Sequence, residues 1–358
     1  MMNTSQKLIA LLSGAALLSV SSLAAQTATT APVGYVTLTV NATSDAKLGV
    51  PLSQATSFNG AVSSVASGTI TVANSVPDVT TASHFVLVTT EAGSLKGNWY
   101  QVTGSTSSTI TVAEDLAALG LTSSDTISVI PFWTLNTLLP DGGALPPSAD
   151  VSNPGAQLSV YDVNDTGINL IPSASYLYHS GEQGPAGWYD VNNIGAGIQD
   201  SAVLSPETFI AVKNDTGSVA NIVIKGSVPT DVLSTSVLSR SAGSQDSLIF
   251  NPYPAPILLN DSNLVTDSVL RPSPDVSNPS DQILVFSSTP TGYNALPDIF
   301  LLYHSGEQGP AGWYDINNIG GGEIGATYSI PEGAAFIIRR AVGTDEVLTW
   351  NPPTPYTL

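Results

Sequence analysis

Residues 178–197 read YHSGEQGPAGWYDVNNIGAG and residues 303–322 read YHSGEQGPAGWYDINNIGGG, so 18 of 20 positions are identical at a constant spacing of 125. The register opens at Asp150-Val-Ser-Asn-Pro and at Asp275-Val-Ser-Asn-Pro, and the 28 positions before the hairpin keep 12 identities. Segments with the same apolar pattern and the same turn residues reach the same local structure. The chain therefore reads as a tandem repeat organised around one loop-rich hairpin.

Within that hairpin, residues 175–179 are expected to form one strand and residues 187–191 the other, joined by Ser180-Gly-Glu-Gln-Gly-Pro-Ala186. Strand alternation places Tyr176 and Tyr178 on one face, and Trp188 with Asp190 on one face. Upstream, Tyr35-Val-Thr-Leu-Thr-Val40 alternates strictly, which predicts a half-buried strand with Val36, Leu38 and Val40 inside. Two Ser/Gly-rich turns each precede a Thr-Ile-Thr-Val strand, at 69–72 and 109–112. Only residues 114–119 look helical, for a turn or two.

These signals predict an all-β chain: a small N-terminal barrel or sandwich of six to eight strands, then two copies of an antiparallel β-domain. The expected boundaries are 1–25 for a signal peptide, 26–32 for a polar linker, 33–129 for the N-terminal β-domain, 130–249 for repeat one and 250–358 for repeat two. Strands about ten residues apart, with no long helical pattern between them, favour antiparallel sheets over βαβ units.

The compartment follows from three features. Lys7, an apolar run over 8–18 and the small-residue site Ser22-Leu-Ala-Ala25 make a secretory signal. No later stretch is long and apolar enough to span a membrane as a helix. There is no cysteine, so the domains must be held by their cores, and thiol or Cys-based zinc chemistry is excluded. Nine Lys and Arg against 28 Asp and Glu give a net charge of −19, which repels phosphate backbones and argues against nucleic acid. Gly, Pro, Ser, Thr, Val and Asn are abundant, as in a turn-rich β protein.

The Val-Gly-Tyr-Val start at 33–36, Ser57-Phe-Asn-Gly60, Gly68-Thr-Ile-Thr-Val72, the Val129-Ile-Pro-Phe-Trp-Thr-Leu135 junction and the doubled hairpins resemble an uncharacterised family of secreted, β-rich paralogous proteins of verrucomicrobial bacteria. The resemblance spans the whole mature chain. It implies secretion, or display at the surface of a Gram-negative cell, with the periplasm as the alternative. It assigns no activity and gives no residue a role.

The candidate ligand-binding residues are Trp188, Tyr189, Asp190 and Asn192, repeated as Trp313, Tyr314, Asp315 and Asn317. An aromatic pair at the lip of a polar loop can stack on a sugar while carboxylate and amide groups bond its hydroxyls. The competing interpretation packs the Trp and Tyr as cross-strand aromatics and makes Asp-x-Asn-Asn an Asx turn. His179 with Glu182, and His304 with Glu307, supply two ligands each where zinc needs more. Asp162-Val-Asn-Asp-Thr-Gly167 resembles the start of a calcium loop, yet Ser173 stands where the bidentate Glu belongs and the second copy has lost the acids. Calcium at some carboxylate is the one cofactor left open; none other is expected.

No G-x-S-x-G, H-E-x-x-H or P-loop string occurs, and the histidines number three. The expected function is that of a non-enzymatic secreted cell-surface or matrix protein with a structural or adhesive role, its partners surface glycans or further copies of itself. The alternative is a bivalent carbohydrate-binding protein using the duplicated hairpins. A glycoside hydrolase using Glu182 and Asp190 comes third.

Overall fold

The computed structural model describes residues 32–356, except 78, 80, 81, 91, 92, 183 and 287–290. The expected signal peptide and all but the last residue of the linker lie outside the described residues. The described residues are nearly all β, with 24 strands and helices of at most six residues. No described helix is long and apolar enough to cross a membrane.

Six strands close a barrel: β3 Phe58–Ala66, β4 Thr69–Val72, β5 His84–Val88, β6 Trp99–Ser105, β7 Thr109–Val112 and β8 Thr126–Pro131, in the order β3-β4-β7-β6-β5-β8. The two Thr-Ile-Thr-Val strands are neighbours, with Ile70 opposite Ile110, and both isoleucines are fully buried. Closure leaves no edge strand to protect. The expected helical turn is Leu116–Leu119, capped when Ala118 N donates to the Asp115 carboxylate, and it drops Leu116 into the barrel core.

The strand predicted at 35–40 is β1, Val33–Val40, and Val36, Leu38 and Val40 are its buried face. It is not a barrel strand. It pairs with β15, Ala220–Ser227, and β2, Ser44–Leu48, pairs with β14, Ile210–Asn214. The expected boundary at 129/130 thus cuts through paired strands, because the ladder joins residues roughly 180 apart in sequence. β2 ends a five-stranded sheet ordered β12-β11-β10-β14-β2, where β10 is Ala156–Val160, β11 Ala174–His179 and β12 Gly187–Asp190.

A second five-stranded sheet has the same order of elements. It runs β21-β20-β19-β23-β17, with β17 Gln245–Phe250, β19 Asp281–Val285, β20 Ile299–His304, β21 Gly312–Asp315 and β23 Ala335–Arg340. The ribbon β1–β15 has its counterpart in β16, Thr235–Ser239, paired with β24, Glu346–Trp350. The strands at 235–250 accordingly hydrogen-bond to strands beyond 330, so the expected boundary at 249/250 also falls inside a sheet. The barrel occupies 58–131, between β2 and the rest of the first sheet. The corresponding stretch after β17 is a short loop.

The end strands β2 and β17 are covered reciprocally. Asp246 N on β17 donates to Gly167 O at 2.8 Å, and Asn169 N donates to the Asp246 carboxylate at 2.9 Å. In the mirror arrangement Asp45 N on β2 donates to Gly292 O at 3.1 Å, and Asn294 N donates to the Asp45 carboxylate at 3.0 Å. Gly167/Gly292 and Asn169/Asn294 are 125 apart. Both asparagines sit at positive φ, 54° and 51°, a conformation that Asn tolerates better than most residues. The loop that resembles a calcium site is therefore a clasp. Asp162 accepts from Asn164 N at 2.9 Å as an Asx turn, and Gly167 N donates to the Gln245 side chain at 2.8 Å. Each half caps the exposed hydrogen-bonding edge of the other, where an unpaired strand would otherwise invite aggregation.

Candidate functional site

The duplicated hairpins form as expected. Tyr178 pairs with Trp188 and Tyr303 with Trp313, while Ser180–Ala186 and its counterpart make the connecting loops. Their aromatic residues, however, point into cores. Trp188 is 0% and Trp313 2% exposed. Trp188 stacks edge-on against Tyr178 at 5.7 Å and its indole N–H donates to Leu139 O at 3.3 Å. Trp313 meets Tyr303 at 5.3 Å in the same T-shape. The ring of Tyr178 is so close to Gly142, at φ +79°, that a Cβ there would lie 2.6 Å from it. A buried indole has no face to offer a sugar, so the stacking role considered for these two residues is corrected to a packing role.

The other candidates follow. Tyr189 and Tyr314 are buried, and each hydroxyl donates to the carbonyl of Pro185 or Pro310 at 2.9 Å, closing the hairpin loop on itself. Asp190 accepts from Asn192 N at 2.8 Å and Asp315 from Asn317 N at 2.9 Å, which are the Asx turns of the competing interpretation. The side chains of Asn192 and Asn317 are exposed. His179 and His304 are each 2% exposed, edge-on to Tyr189 and Tyr314, whereas Glu182 and Glu307 are exposed. Among the described residues no group of three or more His, Asp and Glu side chains is placed to hold a metal ion.

The concavity with converging polar groups lies elsewhere. A cleft of about 690 Å³ opens where the barrel, the first sheet and the ribbon β16–β24 meet. The barrel contributes Asn98, Trp99, Tyr100 and Gln101 from β6 and its approach, with Glu114 and Phe132. The first half contributes Tyr161, Asp162, Asn164, Ser173, Ser205, Glu207 and Thr208; the ribbon adds Ser234, Ser236 and Thr349. That volume is within the usual range for small-molecule sites, roughly 300–1,000 Å³. No Lys, Arg or His is among its described lining residues.

Glu207 is the pivot of this cleft. It is 6% exposed, and both carboxylate oxygens are engaged: Trp99 Nε1 donates to Oε1 at 2.7 Å and Ser236 N donates to Oε2 at 2.9 Å. One side chain thus joins the barrel, the first half and the second half. Burial holds its carboxyl above the usual glutamate range, against the opposing effect of those hydrogen bonds. Trp99 is wedged nearly perpendicular to Phe85 and Phe132, with centroids 6.0 and 5.9 Å away, and Tyr161 stands edge-on to Phe209 at 5.4 Å. Both rings are fixed and partly exposed.

Trp99, Tyr161 and Glu207 are not among the residues that the sequence singles out. A signal for Glu207 was present, since Pro206-Glu207 recurs as Pro331-Glu332 at the same spacing of 125. Comparison with family models, with curated proteins and with solved structures found no match to the chain.

Proposed function

We propose that the chain is a non-enzymatic secreted protein with a structural or adhesive role at a cell surface or in a matrix. In this reading it comprises two copies of one β-unit, the first assembled from residues flanking an inserted barrel. The observation that carries the proposal is the use made of the repeated chemistry-bearing residues. Trp188, Trp313, His179 and His304 are core residues, and the acidic turn at 162–167 clasps the opposite half. Residues committed to packing and edge-capping keep a fold rigid; they do not turn over a substrate. The acidity, net −19, suits a protein that must stay soluble outside the cell and avoid nucleic acid.

Fractionation of the source cells with an antibody to the chain, combined with protease treatment of intact cells, tests the location. The expected result is surface-accessible or released protein whose N-terminus is Ala25 or Gln26. Protein confined to the cytosol with Met1 intact would refute it. A deletion strain should lose attachment or matrix cohesion. Release of reducing ends from a panel of polysaccharides by the purified chain would replace this reading with a hydrolase.

A further inference from the structure

We propose that the cleft around Trp99 and Tyr161 binds a neutral oligosaccharide. The inference stands apart from the chain's location and from the hairpins. Two observations carry it. Trp99 and Tyr161 come from different walls, are partly exposed, and are held against rotation by edge-on partners, so their faces are ready before a ligand arrives. The rest of the lining is mainly amide and hydroxyl side chains, among them the exposed Gln101 and Thr349, which can both donate and accept. Sugar hydroxyls require that two-way character.

Charge decides between ligand classes. With no Lys, Arg or His among the described lining residues but with Glu114, Asp162 and Glu207, the cleft repels phosphates and acidic glycans. A cationic amine is the other candidate for such a site. Glu207 already accepts from Trp99 and Ser236 on both oxygens, and the Asp162 carboxylate from Asn164 N at 2.9 Å and Nδ2 at 3.1 Å, which leaves an ammonium few free carboxylate oxygens to bond. The hydroxyl-rich ligand fits the remaining groups better.

The test is isothermal titration of the full chain, with tryptophan fluorescence in parallel. The probes are neutral oligosaccharides of glucose, mannose, xylose and N-acetylglucosamine, with spermidine as the cation and an oligogalacturonate as the anion. At least one neutral series should bind and perturb tryptophan emission, while the anion should not bind. Thr349→Trp fills the cleft from an exposed strand position and should abolish binding. Gln101→Ala should weaken it about five- to tenfold. Asn192→Ala, at the hairpin, should leave it unchanged. Melting temperatures of the three variants should match the parent, which keeps a binding loss distinct from a folding loss. The proposal is overturned by no binding of any neutral probe at about 10 mM, by binding of spermidine alone, or by sugar binding that survives Thr349→Trp.

Discussion

Positions 156 and 214 in the first sheet and 281 and 340 in the second pair across the same two strands, yet they are filled in opposite ways. In the second sheet Asp281 faces Arg340, and both are almost fully buried. Arg271 grips Asp281 with its guanidinium at 2.6 Å, Ala341 N and Arg271 N also donate to that carboxylate, and Arg340 donates to Ser268 O and Val269 O. In the first sheet Ala156 faces Asn214, whose amide donates to Asn41 O at 3.1 Å and Ser218 O at 2.8 Å. The Pro-Glu pair diverges too: Glu207 is buried under Trp99 of the barrel, while Glu332, with no barrel beside it, is exposed. One strand order accommodates either an ionic network or an amide, with most buried polar atoms partnered and Arg340 Nε left without a hydrogen bond. What a repeated residue does is set by its neighbours in space.

The largest effect should be the same in both halves. Trp188→Ala and Trp313→Ala each delete a buried indole and leave a cavity, at a cost of about 3–5 kcal/mol, read by denaturant unfolding. A loss under ~1 kcal/mol in either would break the equivalence of the two hairpins. Next, Asp281→Ala takes the acceptor from the Arg271 guanidinium, Arg271 N and Ala341 N and the nearest carboxylate from buried Arg340, and should cost roughly 3 kcal/mol. Combining Asp281→Ala with Arg340→Asn installs the first sheet's residues at this pair and should recover part of that loss, the remainder belonging to Arg271, giving a clear coupling in a double-mutant cycle. Strict additivity would show that the two sheets are not interchangeable at this pair.

A smaller contrast separates the two Pro-Glu sites. Glu207→Ala leaves the Trp99 indole N–H and Ser236 N without their acceptor and should cost about 1–3 kcal/mol, whereas Glu332→Ala should barely move the melting temperature. The smallest effect is in pH. Because burial raises the folded carboxyl of Glu207, its contribution is fully present below the ordinary glutamate value of 4.5 and is lost as pH rises through the raised folded value. The melting-temperature difference between the parent and Glu207→Gln should therefore fall as pH rises above the ordinary glutamate value. A flat difference would mean that the hydrogen bonds from Trp99 and Ser236 cancel the burial, and a rising one that they outweigh it.

Much of the fold was legible in the chain. The alternation at 35–40, the Thr-Ile-Thr-Val pair, the helical turn at 114–119 and both hairpins occur where the residues placed them. The candidate site was much less so. Trp188 and Trp313 read equally well as sugar platforms or as core, because alternation says which residues share a face and not what covers that face. Tyr161, Trp99 and Glu207 lie up to 108 residues apart in sequence, and no local pattern links them.

By itself the sequence determined the all-β character, the duplication, the hairpins, the acidity and the absence of disulfides, since each follows from side-chain periodicity, turn chemistry or composition. Tertiary structure alone decided that β2 joins the first sheet and β1 a ribbon with β15, that β17 joins the second sheet and β16 a ribbon with β24, and that each half caps the other's edge. It also decided that a cleft forms where three parts of the chain meet. The physical reason is that a strand's backbone presents the same donors and acceptors to any partner. Pairing is chosen by which apolar faces can be buried together, and that choice is made only once the whole chain has packed.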